Sequence, residues 1–120
     1  MAKNIKGVFP LKILGKKRDL ICNFGVIEAL EGECFNLPII TVLGQALNGQ
    51  IHFLNIVDTI IEGLKANKDT RFSRKEIGQE ILEKGMDNYV EWYISFLTYC
   101  ISGDKSLEVQ KQSTKAIKKK

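Results

Sequence analysis

His52 is the only histidine in the chain, and a catalytic or zinc-binding role for it needs partners at helical or loop spacing. None stands at such spacing. Asp58 and Glu62 lie four apart on the segment that follows, and they read as the solvated edge of a helix. Glu28, Glu31 and Glu33 cluster, but on and just past the exposed side of a short helix. Acid–base work requires carboxylates set among apolar residues that shift their pKa, and that setting is missing. The three cysteines, Cys22, Cys34 and Cys100, form no CxxC. Each has apolar neighbours, as a free thiol in a core does, so they read as structural thiols of a reducing cytoplasm. Neither GxxxxGK[ST] nor GxGxxG occurs, and Asn67-Lys68-Asp69 matches a guanine-recognition box only superficially, with its aspartate one residue too near. The expectation is a protein that is not an enzyme, with no catalytic, cofactor-binding or metal-ligating residues.

Charge argues the same way. The formal net charge is +4, but residues 1–102 hold 12 Lys and Arg against 12 Asp and Glu. The excess lies in residues 103–120, where six lysines oppose Asp104 and Glu108. A basic tail on a neutral body is not a groove-reading surface, and Lys16-Lys17-Arg18 beside Asp19 is a thin phosphate footprint. Nucleic-acid binding is therefore not expected. No apolar run reaches the ~18 residues of a membrane span, and the N-terminus lacks the apolar stretch of a secretory signal. Cytoplasmic residence is the expectation.

The elements can be read from periodicity. Leu11, Ile13, then Leu20, Cys22 and Phe24 alternate with polar residues, which predicts strands at about 8–14 and 19–24 joined by a turn at Gly15-Lys16-Lys17-Arg18. Asn23 is placed to cap a helix carrying Val26, Ile27 and Leu30 that ends near Gly32-Glu33. Pro38 suits the first position of the next helix, which carries Ile39, Val42, Leu43, Ala46 and Leu47 and stops at Asn48-Gly49. Ile51, Leu54, Val57, Ile61 and Leu64 then form one stripe, widened by Phe53, Ile56 and Ile60. Ser73-Arg74-Lys75-Glu76 is a capping box opening a helix that halts at Lys84-Gly85, and Asp87 caps a last helix from Asn88 to about Ile101. The expected fold class is α+β: an N-terminal two-stranded β-hairpin followed by four to five short α-helices. Residues 1–102 form a single domain and residues 103–120 a flexible, disordered lysine-rich tail. Residues 1–7 are expected to be loose. A hairpin of two strands is marginal alone, which leans toward a homo-oligomer.

The last helix is apolar around most of its circumference. Val90, Ile94, Leu97 and Ile101 suffice to pack on the rest of the domain. That leaves Tyr89, Trp92, Tyr93, Phe96 and Tyr99 as a candidate partner-binding side, Tyr and Trp being the residues that most often carry interface energy. Core packing of the same aromatics is the competing reading.

Several pieces in order resemble one family. Gly7-Val8 opens an alternating strand, Leu14-Gly15-Lys16 a turn and second strand, and Phe24-Gly25-Val26-Ile27-Glu28-Ala29-Leu30-Glu31 a helix. Glu62-Gly63-Leu64 ends another, Phe72-Ser73-Arg74-Lys75-Glu76-Ile77-Gly78 leads to Leu82-Glu83-Lys84-Gly85, and an apolar helix closes the run. Over residues 7–102 this layout is similar to the tail assembly chaperones of long-tailed bacteriophages and prophages, in particular the gene transfer agent version. Members are often alanine-rich in the last helix, where this chain is aromatic and Ile-rich and adds a lysine tail. The resemblance implies a non-enzymatic role in virion assembly through protein–protein interaction. The partners it implies are a tape-measure protein kept in solution and tail-tube subunits recruited around it. A structural tail-tube or tail-completion component, and a small nucleic-acid-binding regulator acting through the tail, are the alternatives.

Overall fold

Leu14 and Gly15 both take positive φ, 54° and 84°, and this two-residue turn fixes the register of the hairpin. The computed structural model describes residues 7–103. In it β1 (Val8–Ile13) pairs antiparallel with β2 (Lys16–Ile21), Ile13 opposite Lys16 and Val8 opposite Ile21. A turn with φ > 0 at both central residues matches the right-handed twist of the strands. The predicted four-residue turn is therefore too long, and β2 begins three residues earlier than its apolar alternation suggested. Lys16 and Lys17 hide the strand start, as charged residues on an exposed strand commonly do. Phe24, expected to be the last inward position of the strand, instead opens a helix and is 72% exposed.

Five helices follow among the described residues. α1 (Phe24–Ala29) starts where the Asn23 side chain accepts the Val26 N–H, as expected, and continues as a π-helical turn over Leu30–Cys34. α2 (Ile39–Leu47) begins one residue after Pro38, and its Ile39 N–H donates to the Glu31 carboxylate at 2.7 Å. α3 spans Phe53–Ala66. α4 (Arg74–Lys84) carries both bonds of the predicted capping box, Ser73 with the Glu76 N–H at 3.1 Å and Glu76 with the Ser73 N–H at 2.7 Å. α5 (Asp87–Ser102) starts at Asp87 itself, with Met86 in the cap position.

The hairpin does not stand alone. Ile13 and Leu20 are fully buried on its inner side, where β2 lies on α3 and β1 on α5. Gly63 of α3 lies tightly against the hairpin, where a Cβ would stand 2.9 Å from Leu20 Cβ. The inward stripe of α3 is Ile56, Val57, Ile60, Gly63 and Leu64. It is rotated from the predicted one, and Leu54 is left 60% exposed. Because helices supply the hairpin's second layer, a second copy is not needed to bury it. Residues 1–6 and the expected tail from 104 onward lie outside the described residues.

Candidate partner-binding surface

The sixteen residues of α5 turn their aromatic side inward. Tyr89, Tyr93 and Phe96 are 3%, 1% and 0% exposed, while Trp92 and Tyr99 are half-buried. Phe9 of β1 packs on part of this side. Its ring lies 5.3 Å from both Phe96 and Tyr99, and Trp92 stacks at 5.1 Å on Phe96. The Trp92 indole N–H donates to the Phe9 carbonyl at 3.3 Å. Burial pushes the Tyr93 phenol up to about 12 against an opposing hydrogen bond with Asn55. Of the quartet expected to pack, only Leu97 is buried, and Ile101 is 40% exposed. Tyr89, Tyr93 and Phe96 are thus core residues, and Trp92 and Tyr99 brace α5 against the hairpin. Aromatic volume fills the space between hairpin and helices better than the β-branched side would, so the helix rolls that way.

Among the described residues, the large apolar side chains that stay outside are Phe24, Leu37, Ile40, Leu47, Leu54, Leu82 and Ile101. Five of these seven fall between residues 24 and 54. On α2, Ile39, Val42 and Ala46 pack inward, while Ile40 and Leu47, two turns apart, are 64% and 65% exposed. Half-buried Leu43 and Gly44 lie between them, and a Cβ on Gly44 would meet nothing within 4 Å. The outer side of α2 is therefore a continuous apolar stripe with a shallow dip at its middle.

Beside it in sequence, the π-helical turn, α3 and the start of α4 enclose an open groove of about 760 Å³. Leu54, Ile61, Phe72 and Cys34 give it apolar walls, and Glu33, Asp58, Glu62, Lys65 and Arg74 rim it. Asp58 and Glu62, read from sequence as a solvated edge, in fact line this groove. Arg74 holds Asp58 at 3.0 Å, yet burial still raises the Asp58 carboxyl above its ordinary range. Burial, then the charges of Asp58, Glu62 and Glu33, push the Cys34 thiol up to about 11. A thiol so disfavoured as thiolate is a poor nucleophile. His52 lies exposed at the cap position of α3, its side chain capping nothing. Glu28 and Glu33 are exposed, and Glu31 is spent on the α2 cap.

Two polar devices carried no sequence signal. Arg18, read as part of a charged turn, lies on the inward side of β2, donates to the Ile13 carbonyl and pairs with Asp69 at 2.7 Å. Cys22 and Cys100 bring their Sγ atoms to 3.0 Å across 78 positions. No motif links residues so far apart. Among the described residues, no group of three or more His, Cys, Asp or Glu stands where it could hold a metal ion, and no helix is long and apolar enough to cross a membrane. No protein-family model, curated protein or solved structure matches the chain.

Proposed function

We propose that this chain is a non-enzymatic, cytoplasmic assembly chaperone of a phage-like tail, binding an apolar helical segment of the tape-measure protein and bringing tail-tube subunits to it. The observation that carries the reading is the exposed stripe Ile40–Leu43–Gly44–Leu47 on α2. An amphipathic partner helix seats its apolar side in such a strip through anchors at i, i+3, i+4 and i+7. Large apolar side chains gathered on one helix mark an interaction surface, whereas scattered ones do not. The order of sequence pieces over residues 7–102 supplies the identity of the partner. The aromatics of α5 are left out of the surface, since they hold the fold.

The test is co-expression with a tape-measure protein that is insoluble by itself. Ile40→Glu combined with Leu47→Glu is expected to abolish its rescue while leaving the unfolding free energy within about 0.5 kcal/mol of wild type, because both positions face solvent. Rescue that survives the double substitution removes α2 from the reading, and absence of any rescue by wild type removes the chaperone. Mass spectrometry of purified particles separates a chaperone, which leaves, from a tail-tube or tail-completion component, which stays.

A further inference from the structure

Cys22 and Cys100 meet where three parts of the chain converge. Cys22 lies between β2 and α1, 6% exposed, its N–H held by the Gly7 carbonyl at 2.8 Å. Cys100 is half-buried on the last turn of α5. Their sulfurs, 3.0 Å apart, need to approach by only about 1 Å more to reach bonding distance. Two thiols in a core pack equally well against any apolar neighbour, so nothing in packing alone requires them to face each other. We propose that Cys22 and Cys100 are a modification site at which small peroxides form a reversible intramolecular disulfide, tying the C-terminal turn of α5 to the junction of β2 and α1.

The chemistry balances with hydrogen peroxide as oxidant. The Cys22 thiolate attacks one peroxide oxygen, the O–O bond breaks, and hydroxide leaves and takes a proton, giving a sulfenic acid and water. Cys100, deprotonated, then attacks the Cys22 sulfur and expels the hydroxyl as a second water. Two thiols lose two electrons and one peroxide becomes two waters. Either sulfur can be the donor in this contact, so the same balance holds with the two cysteines exchanged. With Cys100 as donor, the hydrogen bond holds the Cys22 thiol below its ordinary range against the opposing effect of burial. The same contact, then burial and the Cys22 charge, push Cys100 up. Once Cys22 is a neutral sulfenic acid, the charge opposing Cys100 ionisation is gone. Cys34, whose thiol is pushed up to about 11, stays out of the reaction.

The experiment treats the folded, fully reduced chain with hydrogen peroxide, blocks free thiols, and maps the digest by mass spectrometry without reductant. The expected product is one peptide pair joined through Cys22 and Cys100, with Cys34 blocked as a free thiol and the link reversed by dithiothreitol. The thermal midpoint of the oxidised chain should rise by on the order of 10 °C, because the cross-link closes a long loop in the unfolded chain. Cys34→Ser should give the same link, and Cys100→Ser should give none and no rise. Overoxidised Cys22 without a cross-link, a main product joined through Cys34, or unreacted Cys22 and Cys100 each overturns the proposal. The wild-type map decides the matter even where a variant folds poorly.

Discussion

Arg18 and Asp69 show how one charge on the wrong side of a strand is accommodated. Their side chains are only 11% and 15% exposed, so removing Asp69 leaves a buried guanidinium uncompensated. Asp69→Ala is expected to cost on the order of 2–3 kcal/mol in urea denaturation. The Arg18 hydrogen bond also holds the Asp69 carboxyl below the usual carboxylate range. A depressed folded-state pKa stabilises fully above the unfolded value, about 4, and that contribution is lost as pH falls through the folded pKa. Asp58 runs the other way. Burial raises its carboxyl, Arg74 opposing, so the folded state takes up that proton first and gains stability as pH drops toward 4. Asp69→Asn should therefore flatten the acid loss below about pH 4, and Asp58→Asn should remove the gain above it, both read from urea midpoints across pH. Among the aromatics, Phe96→Ala should cost about 3–5 kcal/mol. Trp92→Phe should cost about 1 kcal/mol, the worth of its bond to the Phe9 carbonyl. A partner-facing role would have left stability almost untouched in both.

At the level of elements, two backbone positions set how the layers meet. Gly63 lets α3 settle directly on Leu20, where a Cβ would stand 2.9 Å from the leucine Cβ. Alanine is favoured in a helix by about 1 kcal/mol, but overpacking a filled core costs about 1–3 kcal/mol. The steric cost wins, so Gly63→Ala should lower stability by about 1 kcal/mol while hardly changing helix content by circular dichroism. Lys68 is the converse case. It follows α3 with φ of 61°, its N–H bonded to the Lys65 carbonyl and that of Asp69 to the Leu64 carbonyl. That is a helix end built for glycine but occupied by an exposed lysine. Lys68→Gly should raise the thermal midpoint by about 4–8 °C, about 1 kcal/mol of relieved strain. The β2 start and the α3 stripe depart from the sequence expectation for related reasons. Lysines mask a strand whose register is decided by its turn, and an all-apolar stretch such as Phe53–Leu54 with Ile60–Ile61 leaves the inward direction of the helix open.

Over the whole molecule, the buried apolar residues among those described run from Ile13 to Leu97 and form one cluster. A chain ended at Gly103 is thus expected to keep its unfolding free energy within about 0.5 kcal/mol. It should lose the +4 excess that residues 103–120 carry, and with it any salt-dependent retention on DNA. A fall in midpoint would show that the terminal segment contributes to the fold. By itself the sequence determined what depends on neighbours a few positions away: the hairpin and the five helices, the Asn23 cap, the Ser73–Glu76 capping box, and the neutral charge of the body. Only the tertiary structure decided which side of each apolar helix is inside. It rolled α5 so that Tyr89, Tyr93 and Phe96 are buried and Phe96 and Tyr99 meet Phe9, left Ile40 and Leu47 outside, paired Arg18 with Asp69 and set Cys22 beside Cys100. Local periodicity reports that a side chain is apolar, whereas its burial depends on the volumes of distant residues that happen to fill the space opposite.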